Sequence, residues 1–511
     1  MKNLKKKLLC LFHALFIICS SNLFSQDYSQ PRLPNIIVFI ADDMGLMDTS
    51  VPFIVDSAGN PVRYPLNSFY RTPNMEKLAK QGIRFSNFYA HSVCSPTRTS
   101  MMTGQNSARH RTTNWIKSED NNRNEFGPAK WNWEGLNKQS VTLPKLLQQK
   151  GYRTIHVGKA HFAPLDYEGE NPLNLGFDIN IAGSSIGQPG SYYGMNGFGN
   201  INGNKRRAVP GLEKYWNKDI FLTEALTLEA NEAVSQAKRD GKPFYLYMSH
   251  YALHAPFEPD PRFADHYKAS GKNDKAQAYA TLVEGMDKSL GDIMTHIKKL
   301  GLAENTLIIF LGDNGSDAPL EITNEYSSSQ PLKGKKGNNW EGGMRVPFIA
   351  AWVTPDNQSL WQKKLPIPQN EIQQQMGTVI DLFPTITNLV GVSAPKTHVL
   401  DGFGLADALK GSKNKKRKEI FLNHFPHDHR SSYFTSLVKN DWKAIYQYQV
   451  EGKPGYELFN LKNDPFETTN LANKDPKMLK KMIKEIAEEL KHDNALYPEK
   501  DGKPLPIIIP E

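Results

Sequence analysis

The sequence predicts an α/β protein: a large mixed, mostly parallel sheet sandwiched by helices, then a smaller C-terminal α+β domain with an antiparallel sheet. Three observations predict it. Short, continuous apolar runs rich in β-branched residues alternate with segments of helical period up to about residue 410. Beyond a lysine-rich stretch at 411–418 the strand candidates become shorter and more polar. The chain, at 511 residues, is also too long for one ordinary core.

Each element has its own justification. Residues 35–41 (Asn-Ile-Ile-Val-Phe-Ile-Ala) read as a buried parallel strand. Residues 73–81 read as a helix and 83–90 as a strand. Residues 143–150 look helical and lead into a strand at 152–157, and 243–249 form another buried strand. From 275 to 300 the apolar residues Leu282, Met286, Leu290, Ile293, Ile297 and Leu300 recur on one helical face. Residues 306–311 are a fully apolar strand. After 411 come strand candidates at 419–423, 433–439 and 443–449 and an amphipathic helix at 477–490. The glycine-rich stretch 186–203 is expected to be a long ordered loop near a site. The expected domains are 1–25, 26–410 and 411–511.

Residues 1–25 have the form of a secretory signal. Lys2, Lys5, Lys6 and Lys7 precede an apolar run over 8–19 that is too short to span a bilayer comfortably, and small residues follow around Ser25. A lipoprotein anchored through Cys19 is the rival, and Ile18 before it fits that poorly. An exported, periplasmic or secreted protein without a transmembrane segment is therefore expected. The formal charge is +9, and it falls to five once those four lysines are removed. That suits an ordinary basic surface or attraction of a polyanion, and nucleic-acid binding is not expected. Of the three cysteines, Cys10 and Cys19 lie in the signal. Cys94 remains as a lone thiol bound for an oxidising compartment, where a reactive or modified residue is expected.

Two strand-ends carry polar groups that a core disfavours. The strand at 35–41 runs into Asp42-Asp43-Met44-Gly45, and the strand at 306–311 into Gly312-Asp313-Asn314-Gly315. Ligands gather beyond the carboxyl ends of parallel strands. Asp42, Asp43, Asp313 and the amide oxygen of Asn314 make an all-oxygen set suited to Ca²⁺, with Mg²⁺ second, whereas zinc would want His or Cys. A turn or helix cap explains most such pairs taken singly.

The next segment is His91-Ser-Val-Cys94-Ser95-Pro96-Thr97-Arg98, continuing to Thr103-Gly104. With the two flanking strand-ends, this Cys-x-Pro-x-Arg pattern resembles the signature of the formylglycine-dependent (type I) sulfatases of the alkaline phosphatase superfamily. Gly158-Lys159-Ala160-His161, His254-Ala255-Pro256 and the stretch from Lys336-Gly337 to Glu341-Gly-Gly-Met-Arg345-Val-Pro347 are similar to further elements of that family, in the same order. Residues 380–385, Asp401-Gly402 and 458–467 also match, so the resemblance runs over about 34–473. One departure is Ala160-His161-Phe162-Ala163, where the family more often has Trp-His-Leu-Gly.

The resemblance implies the chemistry. A maturation enzyme would oxidise Cys94 to formylglycine (3-oxoalanine), whose hydrated form attacks sulfur beside a metal held by Asp42, Asp43, Asp313, Asn314 and residue 94. Arg98 would hold the diol, and Lys159 and Lys336 would stabilise the sulfate oxygens. His254 would protonate the leaving oxygen, and His161 would take the proton that expels the sulfate. The cluster His424, His427, His429 and Arg430 suits recognition of a sulfated or uronate sugar, and equally a polar surface loop or adventitious metal site. Tyr192, Tyr193 and Phe198 could stack on sugars or simply pack in the core. The implied substrate is a sulfated polysaccharide or an oligosaccharide derived from one, such as the algal glycans ulvan or carrageenan. The alternatives are a glycosaminoglycan sulfatase, a formylglycine phosphonate or phosphodiester hydrolase, and a non-catalytic glycan-binding relative.

Overall fold

The computed structural model describes residues 32–320, 328–448 and 452–511. The signal segment with Cys10 and Cys19, and Gln449 at the end of one expected strand, lie outside the described residues. Pro34–Glu511 form one compact unit.

The strands that build the large sheet are β1 (Asn35–Ala41), β2 (Ile83–Phe85), β4 (Arg153–Gly158), β5 (Ile179–Ile181), β6 (Phe244–Ser249), β7 (Thr306–Gly312), β8 (Phe348–Trp352) and β9 (Glu371–Gln373). Their order is β5-β4-β6-β1-β7-β8-β2-β9. β8 alone runs antiparallel to both neighbours, so the sheet is mixed and mostly parallel, as expected. The all-apolar sequence of β1 follows from its place at the centre. Ile37, Phe39 and Ala41 pack with the helices Pro73–Gln81, Leu222–Arg239 and Asp274–Lys299 on one face. Ile36, Val38 and Ile40 are equally buried, so both faces are covered. The expected helical face of 275–300 is real: Leu282, Met286, Leu290, Ile293 and Ile297 are buried in Asp274–Lys299. Asn273 caps that helix by accepting from the Ala276 amide at 2.9 Å.

The expected single strand at 83–90 is two. β2 ends at Phe85, and β3 (Phe88–Tyr89) pairs separately with β10 (Gly377–Thr378). The break falls at Ser86, whose carbonyl accepts from the Arg345 guanidinium and whose amide donates to Gln373.

The C-terminal antiparallel sheet has the order β11 (Ile420–His429), β12 (Ser431–Lys439), β13 (Trp442–Gln447) and β14 (Gly455–Asn460). β14 was not expected as a strand. β11 runs six residues beyond the expected end at 423 and absorbs most of the histidine cluster. Its pairing with β12 shifts register between Phe425 and Asp428, where Pro426 has no N–H for the ladder. The helix Pro476–His492 buries Leu479, Met482, Ile483, Ile486 and Leu490 against this sheet. Among the described residues, no helix is long and apolar enough to cross a membrane.

Candidate active site

Strand register carries the polar groups to one edge. Ala41 of β1 is level with Gly312 of β7, Ile40 with Ser249 of β6, and Ser249 with Gly158 of β4. The residues that follow (Asp42 and Asp43, Asp313 and Asn314, Lys159) therefore emerge side by side beyond the carboxyl ends. Carboxylate oxygens of Asp42, Asp43 and Asp313 lie within 4.8 Å of one another, and all three residues are fully buried.

Burying three carboxylates together needs compensation. Lys159 Nζ lies 2.8 Å from both oxygens of Asp42, and Lys336 Nζ lies 2.7 Å from the Asp43 carboxylate. Arg98 donates through Nε and Nη2 to Asp313 Oδ2 at 2.9 and 2.8 Å. Its Nη1 donates to Ser249 Oγ and the Lys159 carbonyl. Three carboxylates thus face three cations. Burial pushes the Asp42 carboxyl well up, opposed by Lys159. Burial acts the same way on Asp43, but the charges of His254, Lys336 and Lys159 outweigh it and hold that carboxyl well below the usual range.

These residues fit a hard divalent cation. Asn314 Nδ2 donates to Asp43 Oδ1 at 2.9 Å, which leaves Oδ1 of Asn314 as the free end of the amide. That oxygen is buried and has no hydrogen-bond partner among the described residues, beside three clustered carboxylates. A buried acceptor without a donor is costly, and a cation is the partner it lacks. An oxygen-only donor set suits Ca²⁺ or Mg²⁺.

Cys94 is the first residue of the helix Cys94–Thr103, and Arg98 follows one turn later. Cys94 Sγ lies 3.3 Å from His161 Nδ1. His161 Nε2 lies 2.5 Å from the Ile116 carbonyl, which can only accept. The imidazole proton therefore sits on Nε2, and Nδ1 presents its lone pair to residue 94. Burial first, then the Lys159 charge, pushes His161 well below the ordinary histidine range and keeps it neutral. Two residues here hold left-handed backbone, Asp43 at φ 58° and His161 at φ 56°. Such conformations are uncommon outside glycine and cluster at functional sites.

A cleft of about 210 Å³ opens onto this edge. Cys94, His161, His254 and Lys336 line it, together with His429 and Arg430. His254 Nε2 lies 3.6 Å from Asp43 Oδ2, with the side chain 15% exposed. Its Nδ1 donates to the Ala255 carbonyl at 3.1 Å. Burial pushes His254 down, Asp43 opposes that, and Lys336 and Lys159 reinforce it.

The structure brings Asp42, Asp43, Cys94, Arg98, Lys159, His161, His254, Asp313, Asn314 and Lys336 together at one end of the sheet, but it divides the expected recognition cluster. His424 and His427 are buried and bonded within the protein. His424 bridges Thr435 Oγ1 and the Leu496 carbonyl, each at 2.7 Å, and His427 reaches Thr113 Oγ1 at 2.8 Å. β11 is covered on both faces, His424 packing towards Tyr497 and His427 towards Trp131, so neither lines the cleft and the loop reading fails for both. Tyr192 and Phe198 are likewise fully buried, and the Tyr192 ring stacks on Phe221. The stretch 186–203 is ordered and carries a 3₁₀ turn at Gly194–Gly199, and Ile186, Gly187 and Gln188 line the cleft. Sequence reasoning missed Ser249, Trp115, Lys117, Arg206 and Arg207. The Lys-Arg-Arg run at 205–207 was visible as charge, but no motif tied it to the site.

The Sulfatase family model matches residues 34–392. A second model, N-sulphoglucosamine sulphohydrolase, C-terminal, matches 339–495. N-acetylgalactosamine-6-sulfatase of Canis lupus familiaris is 29% identical over 417 residues, 78% of this chain and 70% of that protein. A sulfatase of Formosa agariphila is 27% identical over 502 residues, 87% of this chain and 85% of that protein. The crystal structure of Ps i-CgsB in complex with k-i-k-neocarrahexaose has a TM-score of 0.70 at 25% identity, covering 92% of this chain and 96% of that one.

Proposed function

Because the chain belongs to the sulfatase family, and so is a sulfuric ester hydrolase, we propose that it desulfates a sulfated glycan through residue 94, its cysteine first oxidised to formylglycine by a maturation enzyme. The observation that carries this reading is the pairing of Cys94 Sγ with the unprotonated Nδ1 of His161, at 3.3 Å, beside a cluster of buried carboxylates.

In place, the aldehyde would supply a hydrated nucleophile, and a divalent cation held by Asp42, Asp43, Asp313 and Asn314 would supply its polarisation and charge neutralisation. The chain's own residues do the rest. Lys159 and Lys336 present fixed charge where sulfate oxygens gain it during transfer. Arg98, clamped by Asp313 and Ser249, keeps its guanidinium in one orientation one turn below residue 94. His161 Nδ1 accepts a proton at residue 94. His254 lines the cleft, where its Nε2 can carry a proton to the departing sugar oxygen. A bound sulfate ester brings negative charge beside it and favours that protonated form. Lys336 is the poorer acid, because Asp43 holds its ammonium firmly protonated against the burial that would lower it.

The substrate proposed is an algal polysaccharide or an oligosaccharide from one. The likeness to a carrageenan-bound structure favours carrageenan over ulvan, and the mammalian relative keeps glycosaminoglycans as the alternative. Residues 1–25 would export the chain to the periplasm or medium. The test compares purified, matured protein on 4-nitrophenyl sulfate and on a phenylphosphonate ester, with mass spectrometry of the peptide carrying residue 94. Aldehyde mass and a clear preference for the sulfate are expected. Preference for the phosphonate, or an unmodified thiol in fully active protein, would overturn the reading.

A further inference from the structure

The cleft has a feature that sulfate transfer at residue 94 does not use. Lys117, Arg206, Arg207, Lys336 and Arg430 line it, against one carboxylate, Glu119. Three of these cations are already paired. Lys336 holds Asp43, Lys117 reaches Asp120 at 2.8 Å, and Arg430 grips Asp317 with two bonds of 2.6 and 2.9 Å. Arg206 and Arg207 have no carboxylate partner among the described residues. Two guanidinia without a carboxylate partner on one cleft wall are available to an anion from outside.

Their position is built. Arg206 and Arg207 sit on the 3₁₀ turn Lys205–Arg207, whose Arg207 carbonyl accepts from the Gly190 amide at 2.6 Å. Gly190 must lack a side chain: a Cβ there would stand 2.4 Å from the Asn204 carbonyl oxygen and 2.9 Å from Gly199 Cα. At the other end of the same tetrapeptide, a Cβ on Gly187 would stand 2.7 Å from Cε1 of His161. Gly187-Gln188-Pro189-Gly190 is therefore a strut between the imidazole that faces residue 94 and the arginine turn. Arg206, Arg207 and Cys94 line the same cleft, so an anion held by the arginines can belong to the same bound glycan as the sulfate at residue 94.

We infer that Arg206 and Arg207 form a second anion subsite, which takes a sulfate or carboxylate group on the sugar adjoining the one that loses its sulfate. This rests on the reading that the cleft holds a sulfated glycan, and it deepens that reading: the enzyme selects glycans with an anion on neighbouring units. Arg206 and Arg207 are specificity residues and touch no reacting atom. An aryl sulfate, which carries one anion only, leaves the subsite empty.

The test uses the full chain and an Arg206→Ala/Arg207→Ala double variant, each with Cys94 unoxidised for binding, so that the probes stay intact, and matured for turnover. Calorimetry measures binding of three probes: a carrageenan-type tetrasaccharide with one sulfate, the same backbone with two on adjoining units, and a singly sulfated oligosaccharide with an adjoining uronate. Wild type is expected to bind at least one doubly charged probe about tenfold or more tighter than the singly charged one. The double variant should lose that margin, and Arg206→Lys/Arg207→Lys should restore part of it. The probe that shows the margin identifies the anion as sulfate or carboxylate. On 4-nitrophenyl sulfate the double variant should keep kcat/KM within about twofold of wild type. Absence of any margin in wild type, a margin that survives in the double variant, or an equal loss on the aryl sulfate would each overturn the inference. Wild type that shows the margin yet cleaves no sulfate ester would instead refute the proposed function and leave the subsite standing.

Discussion

Two of the buried charge clusters among the described residues make a contrast, because one borders the cleft and the other does not. At the edge of the parallel sheet, Asp42, Asp43 and Asp313 meet Arg98, Lys159 and Lys336. Behind it, where the C-terminal sheet packs, Lys443 of β13 lies 3.0 Å from Glu341 and 2.7 Å from Glu467, all three fully or almost fully buried. Both clusters sit in family-like motifs, and both carry shifted acids. Burial pushes the Glu467 carboxyl up to about 7, opposed by Lys443 and reinforced by Glu341. The first cluster, however, borders a cleft and holds an amide oxygen without a donor, whereas no cleft residue belongs to the second. Buried charge by itself therefore does not mark a site. An unmet valence beside an accessible cavity does.

The largest expected effect is at residue 94. Cys94→Ala should lower turnover of 4-nitrophenyl sulfate by about a thousandfold or more, since a nucleophile has no substitute. Its melting temperature should stay near wild type, because the change removes one small atom at a helix start. A variant that keeps near-native turnover would end the proposed mechanism.

Metal removal separates the clusters next. Exhaustive chelation should abolish activity and lower the melting temperature, and returning Ca²⁺ should restore both. At a hundredfold excess over Kd, bound cation stabilises by about 2.7 kcal/mol. Asp313→Ala should lose the calcium-dependent rise in melting temperature. A rise of equal size in that variant would place the cation elsewhere.

Lys443→Met should do the opposite of Cys94→Ala. Removing one partner from a buried ion pair costs about 3–5 kcal/mol, so chemical denaturation should show a large loss of stability. Turnover per folded molecule should stay within about threefold of wild type. A selective loss of kcat at unchanged stability would move the second cluster into the catalytic machinery.

The smallest effects concern the two inward histidines of β11. Burial lowers His424 to about 4 and His427 to about 3. Unfolded histidine takes a proton near pH 6.5, so the unfolded state binds more protons below that pH. Their contribution to stability is complete above about 6.5 and is lost as pH falls towards those folded values. His424→Gln and His427→Gln should each flatten this acid loss, read as melting temperature against pH, and leave KM within about twofold. A large rise in KM for either would return that histidine to substrate recognition.

The sequence alone determined the central strands β1, β4, β6 and β7, because uninterrupted apolar runs such as Ile36–Ala41 and Leu307–Leu311 are compatible with little besides a strand buried on both faces, but it did not reveal β5, β8 or β9. It also located the strand-end acids and Cys94, since their spacing lies within single segments. Tertiary structure decided the rest, because it depends on groups far apart in the chain. The Ile116 carbonyl, 45 residues from His161, sets which nitrogen of that imidazole is free. Pairing with Asp317 occupies Arg430, whereas Arg206 and Arg207, which line the same cleft, have no carboxylate partner among the described residues. The histidine cluster looked uniform in sequence. Packing over both faces of β11 up to residue 427 took His424 and His427 into the interior, whereas His429, at the end of the strand, lines the cleft. Periodicity could suggest which residues share a face, but only the packed neighbours could say whether that face meets a core or an open site.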